Sequence, residues 1–282
     1  MRELRGRVAL VTGGASGIGR ALAQRFAADR MRLVLADVEA EPLAATVAEL
    51  AADGAEVIGV EADVAVAADV DAVRDRALAE FGAVHVVCNN AGVGGGSIVD
   101  APLALWEWTI GVNLMGVVHG VHTFLPLLLE QDEGHIVNTA SLAGLGGVAG
   151  LGIYCTTKFA VVGLSESLHY DLEARGSAVG VSVLCPGFVQ TRIGESARNA
   201  PPSIAEWADS PEAQATAEFA QALAAAGIPP EVVADAVRDA IVDRTFFVVP
   251  HEHVAVATTR ARADWMAGGG PPVMDPSRAV QP

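Results

Sequence analysis

The chain alternates short runs of consecutive apolar residues with longer stretches in which apolar positions recur at helical spacing. Val8–Thr12, Arg32–Ala36, Glu56–Glu61, Val84–Asn89, Gly134–Thr139, Gly180–Cys185 and Phe246–Val249 make up the short class. β-Branched residues are frequent in them, and several are apolar at nearly every position, as in parallel strands covered on both faces. Between them, Gly17–Asp29, Leu43–Ala52, Val70–Phe81 and Ile153–Arg175 carry Ala, Leu and charge over helix lengths. Strands separated by helices predict right-handed crossovers and a doubly wound, Rossmann-type α/β sheet of about seven parallel strands.

No Pro/Gly-rich linker divides residues 1–267, which read as one domain. The alternation breaks over 192–230, an acidic, Ala-rich segment with prolines at its margins. It suits a helical insertion lying as a lid over the carboxyl edge of the sheet, where such folds bind ligands. Residues 268–282, opening on three glycines and two prolines, predict a loosely held tail. The apolar stretch Gly116–Leu129 carries His119, His122 and Pro126, is shorter than a membrane span, and predicts a buried helix.

Composition narrows the partners. With 282 residues, 51% of them apolar and 18% charged, the chain is long and apolar enough for a substantial core. Its net charge of −16 repels phosphate backbones and anionic lipid, which argues against nucleic acid or a membrane surface. Cys88, Cys155 and Cys185 form no CxxC pair and read as reduced thiols. With no signal-peptide-length apolar run at the start, the expected location is cytoplasmic. His119 and His122 have no acidic or thiol partner at metal-ligand spacing, so no metal is expected.

The first strand runs into Thr12-Gly13-Gly14-Ala15-Ser16-Gly17-Ile18-Gly19, and a helix follows. Glycines let backbone N–H groups approach an anion closely, and the helix N-terminus adds unpaired donors and a positive dipole end. Asp37 closes the second strand 18 residues beyond Gly19, where a dinucleotide-binding unit places a carboxylate on the adenosine ribose. Ala15, Ser16, Val38 and Glu39 offer no cation nearby, so a 2′-phosphate would meet an uncompensated carboxylate. NAD is therefore expected over NADP.

The only lysine, Lys158, stands four residues after Tyr154, one of two tyrosines, so the pair shares a helix face. A phenol at its ordinary pKa is a poor base at neutral pH. An ammonium about 5 Å away would stabilise the phenolate by roughly 3 kcal/mol, lowering that pKa by about 2.

Thr12-Gly-x-x-x-Gly-x-Gly19, Asn89-Asn-Ala-Gly92, Ser141, Tyr154-x-x-x-Lys158 and Pro186-Gly187 together resemble the motifs of the short-chain dehydrogenase/reductase family, over about residues 5–250. The resemblance implies reversible hydride transfer between NAD and a secondary alcohol or ketone. Tyr154 would be the catalytic acid/base and Lys158 its activator and a ribose contact. Ser141 would bind the substrate oxygen, and Asn113 would hold a water linking the lysine to solvent. Gly13, Ser16, Gly17, Ile18 and Gly19 would meet the pyrophosphate, and Asp63 and Val64 the adenine. Asn90, Ala91 and Gly92 would border the ribose; Pro186, Gly187, Val189 and Thr191 would meet the carboxamide. Cys155-Thr156-Thr157 puts Thr before the lysine where the family more often has Ser. A homotetramer or homodimer is the implied assembly, with Gly116–Leu129 a possible interface or interior helix.

Three segments should border the substrate: Val93–Ile98, Leu142–Ile153 and the insertion from Arg192. The second has no polar side chain, which suits a terpenoid, steroid-like or aliphatic alcohol, although packing alone would also explain it. Trp207 and Phe219 could close over such a substrate or belong to the core. Two alternatives stand beside this reading: a protein that senses NAD without turnover, and an NADPH-dependent carbonyl reductase.

Overall fold

All seven expected strands form, each within two residues of its expected ends. In the computed structural model, which describes residues 1, 3–99 and 101–272, they are β1 (Val8–Thr12), β2 (Arg32–Asp37), β3 (Val57–Glu61), β4 (Val86–Asn89), β5 (His135–Thr139), β6 (Gly180–Leu184) and β7 (Phe247–Val248). They build one sheet in the order β3-β2-β1-β4-β5-β6-β7, and every neighbouring pair is parallel. The four central strands β1, β4, β5 and β6 are buried at every position, which is why they do not alternate apolar with exposed polar residues; the polar residues they carry, Asn89, His135, Asn138 and Ser182 among them, are buried too.

Successive β1 residues feed opposite layers. Ala9 and Val11 pack with Leu22 and Phe26 of α1 (Gly17–Ala28), Leu43 and Leu50 of α2 (Ala40–Ala52), and the Val233–Ile241 face of α9 (Pro230–Asp243). Val8 and Leu10 pack with Val70, Val73 and Ala77 of α3 (Ala67–Phe81), Phe124 and Leu128 of α5 (Gly116–Gln131), and Leu168 and Leu172 of α6 (Gly152–Ala174). The period-two alternation of a strand thus decides which helix each side chain meets.

One expectation about length needs correction. α5 continues α4 (Leu103–Ile110) through a π-helical turn, Gly111–Met115, giving a 29-residue helix that is apolar enough to cross a bilayer by length and composition. Core helices pass the same test, and Val117, Phe124 and Leu128 of this one lie in the core. The apolar stretch Gly116–Leu129 is shorter than the helix because Asn113 precedes it, not because the helix starts there.

The insertion folds as two 3₁₀ turns, Ile193–Asn199 and Pro202–Ile204, then α7 (Ala205–Ala208) and α8 (Pro211–Ala225). Ser210 caps α8 by accepting from Ala213 N at 3.2 Å, with Pro211 at the first helical position. A helix absent from the sequence reading, α10 (Glu252–Met266), follows β7. Of the expected tail, Pro272 reaches the central cavity, and 273–282 lies outside the described residues.

Candidate active site

The strand order reverses between β1 and β4, and a cavity of about 850 Å³ opens at their carboxyl ends, where open α/β sheets bind ligands. Thr12 holds this edge together. Its hydroxyl accepts from Asn90 N at 2.9 Å and Ala91 N at 3.1 Å, while Asn90 Nδ2 donates to Thr12 O at 2.9 Å. Asn89 is structural: its Nδ2 donates to Asn138 Oδ1 at 2.9 Å inside the core.

The loop after β1 has the shape an anion cradle needs. Gly13 sits at φ +65°, and a Cβ there would lie 2.9 Å from Ala91 Cα. A Cβ on Gly19 would come within 2.0 Å of Gly13 O, so this glycine lets α1 pack beneath the loop. Gly13, Ser16, Gly17 and Ile18 line the cavity, but Gly19 does not; its expected ligand contact gives way to a packing role. Ser16, the N-cap of α1, makes no side-chain cap bond, and the first turn has no acidic residue. The helix's own donors and positive end are left for an anion, so the residues present fit a dinucleotide pyrophosphate.

Asp37 faces the same cavity and also braces it, accepting from Ala15 N at 2.9 Å and Glu39 N at 3.0 Å. The expectation of a cation-free neighbourhood fails. Arg198 of the insertion forks onto Glu39, Nε to Oε1 at 3.0 Å and Nη2 to Oε2 at 2.7 Å, close enough to Asp37 to feel its charge. The two residues are 159 apart in the chain, so no local pattern could have exposed the contact. Asp63, Val64, Asn90, Ala91, Gly92, Pro186, Gly187, Val189 and Thr191 all line the cavity.

Tyr154 and Lys158 occupy the first turns of α6, on one face, and both line the cavity. Lys158 is 2% exposed; its Nζ donates to Thr139 O at 2.8 Å and lies 5.5 Å from the centre of the Tyr154 ring. The expected lowering of the phenol pKa does not appear. Burial pushes Tyr154 up to about 12, opposed by a hydrogen bond with Ser141, and burial pulls Lys158 down to about 8. The same exclusion of water that brings the pair together disfavours the charged form of each.

Ser141 follows β5 as the N-cap of a 3₁₀ turn, accepting from Ala143 N at 3.2 Å. Its hydroxyl donates a long 3.4 Å bond to Pro186 O and lies in hydrogen-bond contact with the Tyr154 phenol, so its proton can turn to a ligand oxygen. The fully buried side chain of Asn113 does not reach Lys158. Its Oδ1 accepts from Val93 N at 2.8 Å, and its Nδ2 donates to Val93 O at 2.9 Å and Thr157 Oγ1 at 3.3 Å. Thr157 Oγ1 in turn donates to Tyr154 O at 2.8 Å. The family-atypical threonine thus ties the loop after β4 to the helix bearing the tyrosine.

The distal cavity wall is mostly apolar, with Gln214, Thr216, Glu218, Gln221, His253 and Thr258 the polar residues that α8 and α10 bring to it. Val93 and Gly95, then Leu142, Ala143, Val148 and Leu151, contribute as expected, joined by Leu105, Trp108 and residues of α8 and α10. Trp207 lines the cavity while packing with Leu105, Ile153 and Ile204. Phe219 is 60% exposed and outside the cavity, so its expected closing role is withdrawn. The insertion is anchored below by Ser196, whose hydroxyl accepts from Gly94 N at 2.8 Å.

An edge-bound glycine loop, a carboxylate closing β2 and a Ser–Tyr–Lys cluster define an oxidoreductase of the short-chain class. Residues 7–202 match the family model described as short chain dehydrogenase, and the chain belongs to that family. It is 41% identical over 193 residues (67% of this chain, 70% of the relative) to 1-deoxy-11-beta-hydroxypentalenate dehydrogenase of Streptomyces exfoliatus. It is 38% identical over 198 residues (69% and 75%) to 3beta-hydroxysteroid dehydrogenase 2 of Eggerthella lenta. A crystal structure of a short chain dehydrogenase/reductase from Burkholderia phymatum in complex with NAD superposes with TM-score 0.93 at 42% identity, covering 98% of this chain and 99% of that one.

Proposed function

We propose that the protein interconverts a hydrophobic secondary alcohol and its ketone, with NAD as hydride partner. NAD, when bound, supplies the hydride acceptor. Gly13, Ser16, Gly17 and Ile18 hold the pyrophosphate, Asp37 accepts from the adenosine ribose, and Asp63 and Val64 border the adenine. Asn90 to Gly92 and Lys158 border the second ribose; Pro186, Gly187, Val189 and Thr191 surround the carboxamide.

The observation that carries the reading is the convergence of Ser141, Tyr154 and Lys158 on one cavity with the glycine loop. In oxidation the Tyr154 phenolate oxygen takes the alcohol proton and becomes the phenol; in reduction the phenol gives that proton to the ketone oxygen. Lys158 favours the phenolate in either direction, and Ser141 donates to the substrate oxygen as negative charge builds on it. Asn113 fixes the floor of the site through Val93 and Thr157. The apolar wall, together with relatives named for a hydroxysteroid and a hydroxypentalenate, supports a steroid-like or terpenoid substrate over a sugar. We read 192–230 as a lid over this substrate and the assembly as a homodimer or homotetramer.

Tyr154→Phe should cut turnover by at least about 10²-fold while leaving NADH binding by fluorescence titration within about twofold. Near-full activity in that variant would end the acid/base assignment. A panel of secondary alcohols graded in polarity, followed by NADH absorbance, tests the substrate class.

A further inference from the structure

At the adenosine end of the cavity the insertion returns to the dinucleotide-binding half through one guanidinium. Arg198 presents Nε and Nη2 to the Glu39 carboxylate, and Nη1 donates to the carbonyls of Glu195 at 3.0 Å and Arg192 at 3.3 Å. Of its five N–H groups only one on Nη2 is uncommitted. The other nearby guanidinium is also engaged, Arg192 Nε lying 2.8 Å from Glu195 Oε2. The corner therefore holds three carboxylates, Asp37, Glu39 and Glu195, against two paired cations. Both Glu39 and Arg198 line the cavity beside Asp37, with side chains 16% and 26% exposed, so bulk solvent screens the pair only in part.

A 2′-phosphate entering here needs a cation, and one is already within reach of Asp37. We propose that Glu39 is a second coenzyme-selectivity residue: by clasping Arg198 it withholds from NADP the guanidinium that would otherwise meet the 2′-phosphate. The inference rests on the dinucleotide reading above and adds to it, since Asp37 alone would leave Arg198 available. Arg198 in turn holds the Glu39 carboxyl below its ordinary pKa, so the clasp stays ionised across neutral pH.

The test compares wild type with Glu39→Gln, Asp37→Asn, both together, and both with Arg198→Met, by fluorescence titration with NADH and NADPH. Asn keeps the volume of Asp37 and one acceptor for the Ala15 or Glu39 amide, and melting temperatures report folding. Asp37→Asn alone should improve NADPH affinity by less than about threefold, since Arg198 remains clasped. Adding Glu39→Gln should improve it a further ten- to hundredfold, the range of one charge-assisted phosphate contact. The further gain should fade with salt and vanish when Arg198→Met is added. A double variant no better than Asp37→Asn, or a gain that survives Arg198→Met, overturns the inference while NADH binding by wild type leaves the functional reading standing. A wild type that binds neither dinucleotide overturns both.

Discussion

At the scale of single residues, the chemistry depends on two groups whose charged forms the site disfavours. Tyr154 is pushed up to about 12 by burial and Lys158 pulled down to about 8, so at neutral pH the phenol is held as a proton donor beside an ammonium near its own midpoint. That arrangement suits reduction of a ketone, in which the phenol gives up its proton and the ammonium stabilises the phenolate left behind. The signs follow. As pH rises through about 8 the ammonium is lost, so the reductive kcat should be level on the acid side and fall above that value. The oxidative rate, which needs the phenolate and the ammonium that stabilises it, should rise towards about 8 and level off as that charge is lost. Initial rates in both directions across the range measure this, and a reductive rate that climbs through pH 8 would contradict the assigned roles.

Elements decide where those residues meet. The β1–α1 loop can lie against β4 only because α1 packs directly beneath it, with the Cβ position of Gly19 2.0 Å from Gly13 O. Gly19→Ala forces loop and helix apart. It should cost about 1–3 kcal/mol of stability and weaken NADH at least about tenfold, read by thermal melting and fluorescence titration together. Loss of stability with unchanged NADH affinity would show that the loop does not hold the dinucleotide. Elements of this kind were legible from sequence because each writes a local pattern: buried strands as apolar runs, the loop as clustered glycines, the α6 pair as a four-residue spacing. Of the site residues named from motifs, Ser141, Tyr154 and Lys158 line one cavity with Gly13, Ser16, Gly17 and Ile18, while Gly19 and Asn113 do not line it. α10 wrote no such pattern. Glu252, Arg260, Arg262 and Asp264 interrupt it, and only Val254, Ala255 and Thr258 are buried, so no apolar stripe separates it from a polar loop.

On the scale of the whole molecule, the cavity is shared among parts distant in the chain, which is why its boundary was harder to read than its chemistry. The dinucleotide corner is closed by Arg198 meeting Glu39, and the opposite end by α10 meeting Leu142. Both closures are tertiary contacts with no spacing rule. Leu142 packs with Val254 and Ala255 of α10, and along that helix Val254, Ala257 and Ala261 face the cavity. Small residues at 257 and 261 leave room that a bulky side chain would fill. If this end receives the body of a large apolar substrate, Ala257→Phe should raise KM for steroid-sized or terpenoid alcohols at least about tenfold, the loss of roughly 1.4 kcal/mol of apolar contact. Small secondary alcohols, which do not extend to α10, should change less than about threefold, and NADH affinity should stay the same. Equal losses for small and large alcohols would place the substrate elsewhere in the cavity and leave α10 as a structural wall.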